Sequence, residues 1–390
     1  MGETKKIQNR IVKAFTAETF VCLAILAVVF TAFISKMGLA LFFKAAMATA
    51  HDLILNTCLF LTGVIILAGA VTALLSEFGI VSIINMILSP LMKPLFGLPG
   101  AASVGAVATY LSDNPAILPL SSDKGFLKYF KRWQVATLGN LGTVFGMGLI
   151  VTTFMLAQSS AELPLVKAVV LGNIAAIMGG ILSVRLMGVF SKKHYGKDLP
   201  AIDSTDEGYD VMKFREIREG NVAQRGLQAL LDGAAHGVEA GLALTPGVVV
   251  ICTLVMMLAF GPSGDGGTYT GAAYEGIAFL PWLGEKLNFI IKPLFGFSNP
   301  EAVAFPVTSL GAVGAAISMV PRFLAEGIIG AKEICVFTAM GICNAGFLST
   351  HVGIMDGLGE RDLINEAIGT HFLGGLAAGV FGHILALLLL

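Results

Sequence analysis

Three consecutive polar residues interrupt an apolar stretch near the end of the first third of the chain. The segment "YLSDNPAIL" places Ser112, Asp113 and Asn114 directly before Pro115. An ionisable or strongly polar side chain in such surroundings is costly, so Asp113 and Asn114 are candidates to bind a coupling cation or a hydroxyl or amino group of a solute. Asp-Asn-Pro is also favourable turn chemistry, because Asp and Asn side chains bond to nearby backbone. The sequence leaves both interpretations open.

Other polar residues lie in similarly apolar segments later in the chain. Asn140 and Asn344 are each followed two residues later by a glycine. A primary amide in such a helix can line a solute path or hydrogen-bond to a neighbouring helix. Hydroxyl groups can coordinate a solute or bond back to their own helix. The hydroxyl candidates are Thr308 and Ser309 in "PVTSLGAVGAA", and Ser349 and Thr350 in "STHVGIMD", where His351 follows directly.

Titratable residues share one face of the segment "LLDGAAHGVEAGLALTPG". Asp232, His236 and Glu239 have i, i+4 and i+7 spacing, which places them on one side of a helix. Such a set could hold a metal ion or relay protons, and the alternative is the solvated end of a membrane helix. Glu239 is the deepest of the three and is therefore included among the candidate binding residues; the identity of any metal is unknown. Pro246 predicts a break in this helix.

The composition determines the fold class to which these candidates belong. Hydrophobic residues make up 55% of the chain, charged residues 13%, and the mean hydropathy is +0.82. Apolar stretches reach the roughly 20 residues that a membrane-spanning helix requires. The sequence therefore predicts an all-α polytopic membrane protein. A net charge of -1 gives no basic surface for nucleic acid, and no recognised catalytic motif points to an enzyme.

The order of the apolar stretches predicts four parts of the chain. Residues 1–45 hold one N-terminal membrane helix, which we interpret as retained rather than cleaved because its apolar core is too long for a signal peptide. Residues 46–190 form a first repeat, 191–225 a polar cytoplasmic linker, and 226–390 a second repeat. The first helix has no counterpart in the second half and is an addition to the repeated unit.

An internal duplication is indicated by the pentapeptide "KPLFG", which begins at Lys93 and again at Lys292. Each copy follows an amphipathic segment suited to an interfacial helix and precedes a stretch of small residues that starts at a proline. Aligning the copies pairs Asn140 with Asn344. The same order of five segments on both sides of the linker is much harder to obtain by chance than the pentapeptide alone.

The basic residues predict the orientation of the two repeats. If the small-residue segments enter and leave the membrane on one side, the basic loops 121–132 and 191–225 are both cytoplasmic, as the positive-inside rule requires. The loop 262–274 is then external. This arrangement gives two inverted repeats with re-entrant hairpins, interfacial helices and a cytoplasmic N-terminus. Broken segments at matching positions of inverted halves are the usual place of a transporter's binding site.

The chain resembles the nucleoside-recognition or gate domain family, which includes the membrane gate of the bacterial ferrous-iron transporter B and spore maturation proteins A and B. The resemblance is carried by "AGAVTALLSEFGIVSIINMILSPLMKPLFGLPGAASVGAVATYLSDNPA", the following "ATLGNLGTVFG", and a weaker copy between Gly276 and Gly353. The layout is also similar to that of concentrative nucleoside transporters, in which hairpins and broken helices bind solute and sodium. Their nucleoside-binding side chains cannot be matched to this sequence residue by residue.

These observations together predict a secondary-active transporter of a small polar solute, such as a nucleoside or nucleobase, in the bacterial inner membrane. Its partners are the lipid bilayer, the solute and a coupling cation, sodium or a proton, with a homo-oligomer left open. No other cofactor is expected. Two alternatives stay open: a membrane subunit that acts within a complex without transporting, and a permeation pathway for ions or divalent metals.

Overall fold

The computed structural model describes residues 13–202, 209–347 and 350–390. Six helices in these ranges are long and apolar enough to cross a membrane. Within the same ranges, β-pairing is limited to two isolated bridges, Lys131 with Pro200 and Gly264 with Thr268. The predicted all-α polytopic class is therefore confirmed.

The described residues before the polar linker form nine α-helices. The added N-terminal helix α1 is followed by a long helix, an amphipathic helix, a group of short helices and two further spans. Their bounds are α1 Ala17–Met37, α2 Leu39–Glu77, α3 Ile80–Phe96, α4 Ala102–Leu111, α5 Ile117–Ser122, α6 Lys124–Leu127, α7 Arg132–Phe145, α8 Gly148–Ala157 and α9 Val166–Tyr195.

After the linker, a similar order of elements recurs. A long helix is again followed by an amphipathic helix, short helices and further apolar helices. Their bounds are α10 Val222–Ala259, α11 Phe279–Phe295, α12 Ala304–Gly311, α13 Val313–Ser318, α14 Val320–Ala325, α15 Ala331–Cys343, α16 His351–Gly357 and α17 Ile364–Leu389.

The repeated pentapeptide ends the two amphipathic helices in the same way. Helices α3 and α11 both have 17 residues, and each is followed by a glycine in the left-handed conformation, with φ 74° at Gly97 and 71° at Gly296. Glycine adopts this conformation without the steric cost of a Cβ atom, which is why it commonly ends helices. Lys93 and Lys292 lie in the last turns, where a positive charge is favourable for the helix dipole.

Glycines allow the long helices to pack closely. A Cβ atom on Gly233 of α10 would lie 2.4 Å from the carbonyl oxygen of Gly69 on α2, and one on Gly179 of α9 would lie 2.5 Å from that of Gly374 on α17. Small residues are typical of such interfaces, because helix association in lipid depends on close packing. The first long helices of the two halves thus pack together, and so do the last.

The sequence prediction of a break at Pro246 is wrong. Helix α10 continues through Pro246 and adopts a π-helical segment at Val248–Cys252. Helix α2 has a matching π segment at Leu53–Cys58. Proline lacks the N–H group that would donate to the preceding turn. The π-helical turn after it changes the hydrogen-bond spacing locally, so the helix continues.

The two ends of α2 define two faces of the protein, because its 39 residues extend for about 58 Å. Near its start, Lys44 donates a hydrogen bond to the carbonyl of Thr270. At its end, the carboxylate of Glu77 binds Arg218 at 2.9 Å and Arg225 at 3.2 Å. The loop that contains Thr270 and the linker therefore lie at opposite ends of this helix.

Each half contains a helical hairpin, and the bases of the two hairpins lie on opposite faces. In the first, Ile117 returns to α4, where a Cβ atom on Gly105 would lie 2.6 Å from its Cδ1. The base of this hairpin contacts the linker, where Tyr129 donates a 2.6 Å hydrogen bond to Asp210. In the second, the guanidinium of Arg322 lies 4.3 Å from the ring centre of Tyr274, on the other face. Inverted repeats would produce this arrangement, and the inversion stays a prediction.

Candidate functional site

Two helices are interrupted near the centre of the chain's packed core, one in each half. Between α7 and α8, Met147 adopts the left-handed conformation with φ 59°, which is unusual for a residue other than glycine. Helix α15 ends at Cys343, and Gly346 beyond it has φ 72°. Interrupted helices leave peptide groups without helical partners, so they are tolerated in a membrane where protein or a ligand takes their place.

The side chain of Asn114 lies in both interruptions. It begins the short 3₁₀ turn at the tip of the first hairpin and is 2% exposed. Its Nδ2 donates a 3.2 Å hydrogen bond to Oγ1 of Thr350. A Cβ atom on Gly146 would lie 1.2 Å from its Oδ1, and one on Gly346 would lie 2.3 Å from its Nδ2. The tip of the first hairpin is therefore held between the two broken helices.

The second hairpin contacts the second broken helix through Ser309 and Asn344. The amide Nδ2 of Asn344 donates a 3.0 Å hydrogen bond to Oγ of Ser309, and the same hydroxyl donates to the carbonyl of Pro306 at 2.9 Å. The neighbouring Thr308 bonds back to the carbonyl of Ala304 at 2.7 Å, which satisfies its hydroxyl within its own helix. The structure thus brings Ser309 to Asn344, and Thr308 has a local structural role.

Asn140 on α7 hydrogen-bonds to two neighbouring helices, α9 and α17. Its Nδ2 lies 3.0 Å from Oγ of Ser183 on α9 and 3.0 Å from Oγ1 of Thr370 on α17, and it also donates to the carbonyl of Ala367 at 3.2 Å. The residue is fully buried. This is the helix-joining role that the sequence left open as an alternative. Its sequence counterpart Asn344 contacts the same helix α17 near Gly375, so both amides lie against one element.

The three asparagines share one unusual feature. The Oδ1 atoms of Asn114, Asn140 and Asn344 are buried, and none has a hydrogen-bond partner among the described residues. An unpaired buried acceptor costs about 1–3 kcal/mol, so such atoms normally meet water, an ion or a ligand. The oxygens of Asn114 and Asn344, next to the two helix interruptions, and that of Asn140, inside α7, can accept hydrogen bonds from N–H or O–H groups or bind a cation. This is the strongest indication of a site for a polar ligand.

Asp113, the neighbour of Asn114, lines a cavity on another side of the hairpin tip. Its carboxylate accepts a 2.7 Å hydrogen bond from the backbone N–H of Asn114, which is the turn chemistry expected of this sequence. It also lines a cavity of about 280 Å³ between α2, α10 and the first hairpin, together with Asp232, His236 and Arg218. Asp113 and Asn114 therefore point to different sides of the hairpin tip. The hairpin tip therefore contacts this cavity through Asp113 and the helix interruptions through Asn114.

Two further candidates are not brought to these residues. Glu239 is exposed on α10 and does not line the cavity that contains His236. Ser349 lies outside the described residues. Within the described ranges, no group of three or more His, Cys, Asp or Glu residues is arranged to hold a metal ion.

A buried histidine pair adds residues that the sequence did not single out together. Nδ1 of His371 lies 2.9 Å from Nδ1 of His351 and 2.9 Å from Oγ1 of Thr143, and both histidines are fully buried. In the sequence, His351 directly follows the candidate Thr350, and His371 lies five residues after Glu366, with no local sign that the two histidines meet. Thr143 follows Asn140 by three residues on α7, so helical spacing from that asparagine was the one available signal.

Comparisons with known proteins agree with this architecture. Residues 58–159 match the family model of the nucleoside recognition Gate domain. In fold, the chain is similar to the concentrative nucleoside transporter CNTnw, as the family resemblance implies. One structure of a CNTnw variant, in an outward-facing state, has a TM-score of 0.51 at 13% identity, covering 85% of this chain and 76% of that one. No curated protein matches the chain in sequence.

Two other CNTnw structures give similar values. An inward-facing, substrate-bound state has a TM-score of 0.50 at 14% identity, covering 83% of this chain and 75% of that one. A variant in the intermediate 1 state has a TM-score of 0.51 at 12% identity, covering 94% and 85%. At these identities the likeness shows the fold alone. The chain is thus a multi-pass membrane protein with the fold of a nucleoside transporter.

Proposed function

Because residues 58–159 carry a nucleoside recognition Gate domain and the chain has the fold of CNTnw, we propose that the protein is a secondary-active transporter of a small polar solute. The observation that carries this proposal is the set of buried, unpaired carboxamide oxygens, of which those of Asn114 and Asn344 lie beside the two helix interruptions and that of Asn140 lies inside α7. A nucleoside or nucleobase suits such a site, since its N–H and O–H groups can donate to these oxygens. A sodium or proton gradient supplies the driving force.

The hairpin contacts support a mechanism of alternating access. The first hairpin tip touches the second half through Thr350 and Gly346. The base of this hairpin lies on the face of the linker, and the base of the second hairpin lies on the other face. Movement of one tip away from the interruptions would open the site to one side while the other hairpin keeps it closed. CNTnw is known in outward-facing, intermediate and inward-facing states, and we propose a similar cycle for this chain.

The orientation in the cell follows from the basic loops. We propose that residues 121–132 and 191–225 face the cytoplasm of a bacterial cell, with the N-terminus on the same side. The two loops are in contact, since the backbone N–H of Arg132 donates to the carbonyl of Leu199 at 2.8 Å. This contact supports a common location of the two basic segments, as the positive-inside rule expects. We propose that the membrane is the bacterial inner membrane.

A ligand screen on the purified protein tests the proposal. Unfolding temperature would be measured with uridine, adenosine, uracil and adenine, each in sodium chloride and in choline chloride at two pH values. A ligand that binds only the folded state raises its stability by RT ln(1 + [L]/Kd), about 2.7 kcal/mol at one hundred times Kd. We expect at least one of these solutes to raise the unfolding temperature and to exchange by counterflow in proteoliposomes.

Variants of the site residues make the test specific. Asn344→Leu removes one unpaired oxygen and the bond to Ser309, and should abolish the ligand-dependent rise while membrane insertion is retained. Lys93→Arg is the matched control, because this residue lies in the last turn of α3, away from the interruptions, and arginine keeps its charge. Wild-type ligand response in Asn344→Leu, or no counterflow with any of the four solutes, would contradict the proposal.

A further inference from the structure

The histidine pair next to the second helix interruption has a role of its own. His351 begins α16 and His371 lies about two turns inside α17, and both side chains are fully buried. We infer that this pair binds one proton, at Nε2 of His351, and that this proton is the coupling ion of the transport cycle. The inference rests on the proposed function and names which of the two candidate cations drives it.

The partners of His371 determine its tautomer. Its Nε2 lies 2.5 Å from the carbonyl oxygen of Cys343, which can only accept, so Nε2 carries the hydrogen. In a neutral imidazole, Nδ1 is then an acceptor. The hydroxyl of Thr143 lies 2.9 Å from this Nδ1 but also 2.9 Å from the carbonyl of Gly139, to which it donates. His371 Nδ1 is therefore free to accept from the other histidine.

This tautomer in turn determines that of His351. The two Nδ1 atoms are 2.9 Å apart, so exactly one of them must carry a hydrogen. Since Nδ1 of His371 accepts, Nδ1 of His351 donates. The remaining nitrogen, Nε2 of His351, then holds a lone pair, and it has no hydrogen-bond partner among the described residues. A basic nitrogen with a free lone pair is the place where an added proton binds.

Proton uptake there also strengthens the pair. With a proton on Nε2, His351 becomes an imidazolium that still donates through Nδ1 to His371. A hydrogen bond from a charged donor is roughly twice as strong as one between neutral groups. No other hydrogen has to move, because His371 keeps its bond to the carbonyl of Cys343. Release reverses the step, with the proton leaving from Nε2 and the neutral pair remaining.

Two carboxylates near the pair form ion pairs with arginines. On α16, Asp356 binds Arg361. The carboxylate of Glu360, just beyond α16, accepts from Tyr195 and binds Arg132 of α7. Three further groups lie on the elements that pack around the pair: the Cys343 thiol on α15, Arg185 on α9 and Glu366 on α17. Arg185 donates to the carbonyl of Leu95, and Glu366 precedes His371 by five residues. Within the described ranges, none of these carboxylates hydrogen-bonds to either histidine, so an added proton here changes the charge of the pair itself.

The position of the pair connects proton binding to the hairpin. His351 directly follows Thr350, whose hydroxyl accepts from Asn114 at the first hairpin tip and donates to the carbonyl of Gly346. In this conformation Nε2 is closed off from solvent. Proton exchange therefore requires the surroundings of His351 to open, and a movement of His351 together with Thr350 would break the contact of Thr350 with the hairpin tip. Proton binding and opening of the site thus involve the same contacts.

Magic-angle-spinning NMR of the full-length protein in liposomes, labelled with ¹⁵N-histidine, tests the proton site without any solute. At pH 8 we expect two neutral histidines of opposite tautomer, hydrogen on Nδ1 of His351 and on Nε2 of His371. As the pH is lowered to 5, His351 should become an imidazolium while His371 keeps its tautomer. The variants H351N and H371Q assign the signals, since asparagine mimics Nδ1 and glutamine mimics Nε2. His194→Gln, at the exposed end of α9, is the matched control and should leave the pair unchanged.

Transport measurements then test the coupling. With one proton per solute and no membrane potential, one pH unit can drive about tenfold accumulation. Uridine or adenosine, whichever exchanges by counterflow, should accumulate to this extent in wild type and in His194→Gln. In H351N the accumulation ratio should fall to about one, while counterflow is retained.

Each outcome separates the two proposals. A pair that stays neutral down to pH 5, or that has the same tautomer on both residues, overturns the proton site. Full pH-driven accumulation in H351N overturns the coupling role. Wild-type protein that exchanges none of the tested solutes contradicts the proposed function, and the NMR titration still decides whether the pair binds a proton.

Discussion

The contact between the first hairpin tip and the first helix interruption predicts a strong effect of Gly146→Ala. Gly146 has φ -58°, which alanine adopts without strain, so the backbone itself would tolerate the change. The added Cβ atom, however, would lie 1.2 Å from Oδ1 and 3.0 Å from Cα of Asn114. Rotating the amide relieves only the first contact. The hairpin tip must therefore move as a unit.

The expected cost combines two terms. Overpacking a well-packed interior costs about 1–3 kcal/mol, and the displaced tip loses its hydrogen bond to Thr350, a further 0.5–1.5 kcal/mol or so. Together they give a loss of about 1.5–4.5 kcal/mol in the free energy of unfolding. Gly369→Ala is the matched control, because no atom lies within 4 Å of a Cβ there. Inside helix α17 that change should be neutral or stabilising by up to about 1 kcal/mol.

Reversible unfolding in mixed detergent micelles would measure these values. The variant Asn114→Ala removes the amide that clashes, so the double variant should be less destabilised than the sum of the single variants by at least about 1 kcal/mol. Solute exchange should fall in Gly146→Ala, because the hairpin tip no longer seats between the broken helices. Additive effects in the double variant, or a Gly146→Ala protein as stable as Gly369→Ala, would refute the described packing of Asn114.

Three other predictions concern the two faces. Single cysteines in 121–132 should react with an impermeant thiol reagent only after permeabilisation, and those in 262–274 should react in intact cells; the reverse pattern would contradict the inverted repeats. Burial would raise the pKa of Glu275, but hydrogen bonds from neighbouring hydroxyl and backbone groups lower it to about 2. The ionised Glu275 therefore stabilises the folded protein fully above its ordinary pKa of 4.5, and this contribution is lost as the pH falls through about 2. In a pH series, the difference in unfolding free energy between wild type and Glu275→Gln should shrink over that range. Glu77→Gln should cost about 2–4 kcal/mol in the same unfolding assay, because it removes the buried carboxylate that Arg218 and Arg225 share, and Arg218 then keeps only its ion pair with Asp232. An unchanged stability would show that the ion pairs of Glu77 are dispensable.

Local sequence patterns predict those structural features that depend on residues close together in the chain. The hydropathy of each span predicts the membrane helices, and the two "KPLFG" segments predict two helices that end alike, as Gly97 and Gly296 show. The turn chemistry of Asp113 and Asn114 likewise predicts the tip of a hairpin. In all of these, the physical cause lies within a few residues of the effect.

The arrangement of the site depends on contacts between distant residues, which no local pattern contains. Asn140 looks equivalent to Asn344 in the sequence, yet it bonds to α9 and α17 while Asn344 bonds to the second hairpin. The difference arises from which helix each half packs against. For the same reason the partnership of His351 with His371 is invisible in the sequence, because it requires α16 to fold back on α17.

The position of Asn114 brings the first hairpin into contact with both halves. Its amide is too short to reach two helices that pack normally, because side chains at the interface would hold them apart. Glycine at 146 and 346 removes those side chains, and the left-handed turns beside or at these positions remove the helical backbone that would otherwise fill the space. One carboxamide can then contact both interruptions at once. A movement of the first hairpin must therefore change the surroundings of both broken helices together, and this coupling is what alternating access requires of a site shared between two halves.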